Sequence, residues 1–534
     1  MHRLSLKAFA LPLALLIALI ALSLQRRDEL PLTAEATSTS ATSPSPTTMP
    51  VTTAARHQPE QADPFQSFNE WLNRHSLLRG PSEQSEFMAK GLKLAEERRE
   101  AMLRLIKSDP QAALAAALPE SSRKLLSAEF DELLEEPFSV QGDLALVAAV
   151  PRPGFRPTRS VYRELRVGDR AWEAFVHGRR NEQQTVYDVP LSGIRLGKIA
   201  AIREESTRIL LPAEVPASAV MEDMQLLGEH TSASNSSLPA TRVVEIGSRY
   251  HPVCCQQHAK SLADTLKAQY HTRETFTEAA GGNANSDTAP TFAPSAHTTG
   301  TKSVLVIVAD FSDATGIPYD EESGLQMTST YLNNRMVNQV SPFLNTVSYG
   351  NTQLGTVTIT PLQRLSGTLA NYAKTDNVNG IKNAALTKAS ASGFNHNNYD
   401  RVILVFADTF GISGNQWTWS GLADLGGKFI WNNAWFTLGT VSHELLHTYG
   451  LRHANLWMPP IGSTDPVDLT GESMEYGDVF DVMGEGPYDP ATMPDHPNPW
   501  FLSRLGWLPG TAVQSITTSG TYRLHRYDHA GASM

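Results

Sequence analysis

An α/β fold with α+β character, organised on a mixed, twisted sheet, is predicted for the C-terminal part of this 534-residue chain, with a helical unit and a β-rich region ahead of it. Three observations predict it. Ser303-Val-Leu-Val-Ile-Val-Ala309 and Arg401-Val-Ile-Leu-Val-Phe406 are near-continuous apolar runs, as central strands buried on both faces require. Between them, residues 327–340 and 379–392 read as helices, whereas Thr356-Val-Thr-Ile-Thr360 alternates like an edge strand. Upstream, helical spacing over residues 64–135 gives way to short alternating runs punctuated by Gly and Pro.

In chain order, Arg3 and Lys7 precede an uncharged apolar run over residues 8–24, which Gln25-Arg-Arg27 closes. A signal core spans about 7 to 15 residues and a membrane helix about 20, so residues 1–24 are read as an export signal or an uncleaved anchor. Ala21-Leu-Ser23 offers a small-residue cleavage site and Pro12 weakens a spanning helix, which favours cleavage. The expected location is secreted or extracytoplasmic, with membrane anchoring through residues 8–24 as its variant. Residues 25–63 form a Ser/Thr/Pro-rich tether: from Thr33 to Ala55, 20 of 23 residues are Ser, Thr, Pro or Ala, too little apolar surface to bury. Within 64–135, Phe68, Trp71 and Leu72 share helical spacing, and a run from Met88 to Ile106 ends before Asp109-Pro110. Within 136–270, Ala171-Trp-Glu-Ala-Phe-Val176 and Arg208-Ile-Leu-Leu211 suit strands. Residues 271–300, rich in Gly, Ala, Thr and Pro from Ala279 onward, read as an exposed linker open to proteolysis, and the main domain follows over 301–508.

The chemistry is concentrated in residues 441–453, Val-Ser-His-Glu-Leu-Leu-His-Thr-Tyr-Gly-Leu-Arg-His. On a helix predicted over residues 437–449, His443 and His447 lie four apart on one face and can present both rings to one ion, while Leu438, Val441 and Leu445 turn toward the sheet. Glu444 stands beside that ligand face, where a carboxylate can take a proton from water at the metal without closing the coordination shell. Gly450 can take the left-handed conformation that ends a helix, which lets His453 return as a third ligand. Three protein ligands leave the fourth position of one catalytic Zn2+ for water, whose pKa then falls toward about 7. A chance His-Glu-x-x-His on an amphipathic helix is the alternative, and the added Gly450 and His453 weigh against it.

Downstream, Glu475-Tyr-Gly-Asp-Val-Phe-Asp-Val-Met483-Gly484 supplies a Val-Met pair before a turn-forming Gly. The extended His-Glu-x-x-His-x-x-Gly-x-x-His spacing followed by a Met-containing turn resembles the metzincin clan of zinc endopeptidases. Gly421-Leu-Ala-Asp-Leu-Gly-Gly427, the Glu-Tyr-Gly-Asp and Val-Met-Gly phrases, and Leu505-Gly-Trp507 are most similar to the gametolysin family. The resemblance covers residues 300–510 and implies a metzincin-like peptidase domain, zinc ligation by His443, His447 and His453, a base at Glu444 and a Met-turn at Met483. One position departs from it. Some metzincins carry a Tyr two residues after the Met, where this chain has Glu485; Tyr488 is too far along, so the group that steadies the oxyanion is unassigned.

An exported zinc metalloendopeptidase is the leading expectation, with protein or peptide substrates; an extended peptide adding to a strand above the cleft would be read with limited sequence demand. Such an enzyme has to be held inactive before export, so residues 64–270 are read as a pro-region, with an independent binding domain as the alternative. The two cysteines, Cys254 and Cys255, are adjacent, which excludes a disulfide framework, and Cα atoms about 3.8 Å apart are too close for an unstrained bond. One thiolate is a candidate latch on the open metal position; inert thiols are the alternative. A net charge of −11 without a Lys/Arg cluster excludes nucleic acid as a partner. From Pro459 to Ser503 there are nine Asp or Glu and no Lys or Arg, which makes either a wall favouring basic side chains or solvated loop charge. Val513-Gln-Ser-Ile516 and Thr521-Tyr-Arg-Leu524 predict a hairpin within 509–534. Two rival functions remain: an exported binding or adhesion protein with an inactive zinc site, and a zinc amidase acting on cell-wall peptides. The oligomeric state is not legible.

Overall fold

The computed structural model describes residues 63–75, 81–152, 160–212, 215, 242–247, 249–253, 255–274, 295–485, 494–508 and parts of 512–527. The apolar run at 8–24 and the tether lie outside them. Among the described residues no helix is long and apolar enough to cross a membrane.

Helices α1 (Pro64–His75), α2 (Pro81–Ser108), α3 (Pro110–Ala116) and α4 (Glu120–Arg123) occupy the segment read as helical. The break at Asp109-Pro110 has a local cause: the Asp109 carboxylate accepts from the Ala112 amide and caps α3, while Pro110 takes a first-turn position that needs no donor. Phe68, Trp71 and Leu72 close a small core with Ala95 and Phe130. Strands β1 (Glu136–Pro151), β2 (Val161–Val167), β3 (Arg170–Phe175), β4 (Val186–Leu196) and β5 (Ile199–Ile202) follow. A separate three-stranded sheet is made by β6 (Thr207–Leu210), β7 (Arg242–Ile246) and β8 (Arg249–Val253), against which α5 (Gln256–Glu274) packs.

The C-terminal part contributes β9 (Gly300–Asp310), α6 (Ser329–Arg335), a π-helical turn at Met336–Val340, α7 (Ser341–Val347), β10 (Thr352–Ile359) and β11 (Gln363–Arg364). Then come α8 (Leu369–Lys374), α9 (Val378–Ala391), β12 (Arg401–Phe406), β13 (Trp419–Asp424), β14 (Phe429–Asn433), α10 (Leu438–Tyr449), β15 (Leu456–Met458), β16 (Glu472–Met474) and α11 (Pro499–Arg504). The helix expected to stop at 340 runs on to Val347, because Pro342 falls in the first turn of α7, where a missing N–H costs little.

One eleven-stranded sheet runs in the order β10-β9-β12-β14-β13-β1-β2-β3-β5-β4, with β11 on β9 and β1 also paired to β4. β10, β9, β12 and β14 are parallel, and β13 is antiparallel to β14. The apolar runs of β9 and β12 are buried on both faces, one face against α6, α7 and α10 and the other against α8 and α9. The sheet continues across the boundary expected at 271–300, because β1 pairs antiparallel with β13, with Val147 opposite Asp424 and Val150 opposite Gly421. A buried clamp fixes that seam: Arg166 Nη1 donates to both Asp424 oxygens at 2.9 and 3.0 Å, and the Tyr187 hydroxyl donates to Asp424 Oδ2 at 2.8 Å.

Thr356–Ile359 lies in β10, which ends the sheet as the expected edge strand, and the strand beside the metal-site helix is the interior strand β13. One expectation is corrected. The hairpin after residue 508 is not formed among the described residues, and Val513, Ile516 and Tyr522 are exposed there. Alternation alone supplied no apolar surface for that segment to cover, and an isolated hairpin is marginal in water.

Candidate metal centre and catalytic site

Helix α10 is set by its ends. The Thr437 side chain accepts from the Thr440 amide at the start, and Gly450 adopts φ 110° at the finish, where its N–H donates to the His447 carbonyl. A side chain at Gly450 would be strained there and would also meet Gln184 Nε2 at 2.5 Å. The chain then turns, as expected, and brings His453 back beneath the helix.

The three imidazoles converge. Ring centroids of His443 and His447 are 4.5 Å apart, those of His447 and His453 4.8 Å, and one ring nitrogen from each histidine lies within 4.8 Å of the others. His443 Nδ1 is 2.7 Å from the Val482 carbonyl and His447 Nδ1 is 2.7 Å from the Leu451 carbonyl. A carbonyl can only accept, so in the neutral ring each of these Nδ1 atoms carries the proton and each Nε2 presents a lone pair inward. His453 Nδ1 is held at 2.8 Å by Glu475 Oε1, and its Nε2 stands 3.1 Å from His447 Nε2. Lone pairs aimed together at this spacing suit a shared cation. Burial pushes the pKa of His443 and His447 well below the ordinary imidazole value, neighbouring imidazoles adding to the effect; burial lowers His453 too, against the pull of Glu475. The neutral form that ligates metals is thereby favoured.

Glu444 is 0% exposed, and both its carboxylate oxygens are buried with no hydrogen-bond partner. Burial drives its pKa well above the usual carboxylate range, opposed only by the nearby Val150 amide. An unpaired buried carboxylate is costly, and a cation beside it would offset that cost. The donor set therefore fits a metal ion. β13 closes over this carboxylate: a Cβ at Gly421 would stand 2.2 Å from Glu444 Oε1, so a side chain there would displace the carboxylate. Met483 is fully buried in the apolar core shared with Leu446, Leu451 and Ala454, and its carbonyl accepts from the Ala454 amide at 2.8 Å.

Residues given no role from sequence complete the site. Glu475 orients His453 with one oxygen and accepts from the Ser160 hydroxyl with the other. The Tyr476 ring lies 4.0 Å from that of His453, centroid to centroid, and its hydroxyl donates to the Ala149 carbonyl. Both stand in the Glu-Tyr-Gly-Asp phrase, where a carboxylate following a third His is the signal available for a ligand-orienting partner. Glu485 is exposed, and Tyr488 lies outside the described residues. Cys255 is exposed at the start of α5, outside the histidine group, and Cys254 lies outside the described residues. Within the acidic segment, Asp465 and Glu472 are exposed and Asp468 is half-buried, whereas Asp481 is buried and accepts from the Met483 and Asn498 amides. Burial raises the Asp481 pKa to about 6.

A comparison with curated proteins found no match. Residues 303–523, which hold nearly all of β9 and everything through α11, match the family model described as gametolysin peptidase M11, and the resemblance to the gametolysin family stands over that region of the chain.

Proposed function

We propose that the chain is an exported zinc-dependent metalloendopeptidase made as a precursor. The observation that carries this reading is the convergence of three inward-facing imidazole nitrogens beside a buried, unpartnered carboxylate. His443, His447 and His453 would hold the ion, and Glu475 would keep His453 in its tautomer and orientation. Zinc, when bound, supplies polarisation of the peptide carbonyl and a water of lowered pKa. Glu444 takes the proton of the attacking water and delivers it to the departing amine. The backbone edge of β13 aligns an extended polypeptide antiparallel, as it now aligns β1.

The burial of the site supports a precursor. His443, Glu444 and His447 are 0% exposed and His453 is 6% exposed, so a substrate has no path to them while β1 occupies the edge of β13. Export rests on the charged-then-apolar pattern of residues 1–24. The test is a substrate panel of casein, gelatin and cell-wall peptides, applied to the full chain after limited proteolysis, with zinc stripped by a chelator and then restored. Protein cleavage that disappears with zinc and returns with it is expected. Cleavage confined to cell-wall peptides would replace the endopeptidase by an amidase, and zinc binding without any hydrolysis would replace it by a binding protein.

A further inference from the structure

We propose that the peptide bond between Ala149 and Val150 is the precursor's own first cleavage site, seated in the catalytic centre as a substrate would be. The inference rests on the metallopeptidase reading and names the bond on which that chemistry first acts. Residues 147–150 lie extended along β13 in antiparallel register, and Val150 faces Gly421, the residue against whose α-carbon the Glu444 carboxylate is lodged. In an antiparallel ladder successive peptide groups point to opposite edges. At Ala149 the outward-pointing groups are used by other partners: its N–H donates to the Ser160 carbonyl at 2.9 Å, and its C=O accepts from the Tyr476 hydroxyl.

That hydroxyl belongs to a ring 4.0 Å from His453 and 6.3 Å from His443, centroid to centroid, so the Ala149 carbonyl is tied to a side chain that packs on the histidine group. The other end of the same peptide group, the Val150 amide, points to the opposite edge, toward β13 and Gly421, against which the Glu444 carboxylate is lodged. One peptide bond thus has its oxygen on the side of the histidine group and its nitrogen on the side of the base. One residue beyond it the register slips between Val150 and Pro151, and the pairing resumes with Pro151 opposite Trp419, so the ladder is irregular next to the reacting bond. The Ser420 hydroxyl reaches both the Val150 and Pro151 carbonyls there, at 3.4 and 3.3 Å.

The reaction is an ordinary hydrolysis and needs no reactant beyond water. The water oxygen bonds to the Ala149 carbonyl carbon, the bond to the Val150 nitrogen breaks, and Glu444 carries the water proton to that nitrogen. Ala149 is left as a carboxylate and Val150 as an amine. Tyr476 donates to the oxygen on which charge develops, the role left unassigned by Glu485. Pairing of β1 with β2 and β4 holds the two products together until the chain is denatured.

The experiment uses the full chain, wild type and Glu444→Gln, purified in chelator and then given zinc chloride. Denatured samples are read by mass spectrometry and N-terminal sequencing, with casein digestion run in parallel. A new N-terminus at Val150 is expected in the wild type, at a rate independent of protein concentration, and none in Glu444→Gln. Tyr476→Phe should slow the cut by about 10²-fold while zinc binding stays unchanged. Hydrogen exchange on metal-free Glu444→Gln gives a readout free of turnover: the Ala148 and Val150 amides should be protected. Wild-type protein that digests casein yet stays intact at this bond, or is cut elsewhere, overturns the proposal and leaves the peptidase reading standing. Protein that binds zinc, leaves itself intact and cuts no casein even after limited proteolysis sinks both, and rapid exchange at residues 147–150 overturns the proposal by showing that the segment is not seated.

Discussion

β13 has two antiparallel neighbours, and they do different work. On one side β14 is reached through the short connection at residues 425–428, and Phe429, Ile430 and Trp431 are buried in the apolar cores on the two faces of the sheet, while Asn432 and Asn433 are buried and hydrogen-bonded to neighbouring loop and strand atoms. On the other side β1 comes from about 270 positions away in sequence, and its contacts near the site are with chemical groups: the Ser420 hydroxyl, the Tyr476 hydroxyl and the neighbourhood of Glu444. The first neighbour builds the sheet. The second fills the edge where an enzyme of this kind would align a peptide, and it is tied down by the Arg166–Asp424 clamp instead of by a short connection. The lesson is that burial alone does not separate a structural strand from an occupying one; sequence distance and the polarity of the partners do.

Substitutions on the two sides should separate these roles. Asp424→Ala leaves Arg166, whose side chain is 1% exposed, with Glu164 as its remaining carboxylate partner and leaves the Tyr187 hydroxyl without its acceptor, and should lower stability in urea by about 3 kcal/mol. If the seam is what weakens, zinc-dependent casein cleavage should rise in that variant at moderate urea; a fall in stability with no gain in access would make β1 as structural as β14. Ile430→Ala on β14, where the side chain is 2% exposed, should cost about 2–5 kcal/mol by opening a cavity and should never expose the site selectively.

At the metal, Glu475→Gln should weaken zinc affinity by about 10- to 100-fold in chelator competition, because His453 loses a charged orienting partner. Unchanged affinity would reduce Glu475 to a surface contact of Ser160. The smallest effect is expected at Gly421→Ala, whose new methyl meets the end of the flexible Glu444 side chain. Turnover should fall by about tenfold with KM little changed and zinc retained, since the carboxylate is displaced and the ligands are not.

The metal-site helix was legible because its information is local. A four-residue spacing puts His443 and His447 on one face, and a glycine at the helix end turns the chain toward His453 whatever the rest of the molecule does. The central strands at 303–309 and 401–406 were legible for a similar reason, since continuous apolar runs have few alternatives. The continuation of α6 into α7 was hidden because Pro342 reads as a stop when the turn before it is not known. Nothing in the texture of residues 136–151 indicates that they pair with β13, because register between strands so far apart is decided by complementary edges and by the Arg166–Asp424 pair. Glu475 was quoted within a recognisable phrase, but its reach to His453, 22 positions away, follows from the fold between them.

The account stands or falls on Glu444 acting as the base beside a zinc held by the three histidines. The direct measurement is zinc stoichiometry and casein hydrolysis of the full chain after limited proteolysis, wild type beside Glu444→Gln. The account predicts zinc near one per chain in both proteins and a loss of about 10²-fold or more in hydrolysis in the variant alone. Full hydrolysis in Glu444→Gln, or no zinc in the wild type, would contradict it.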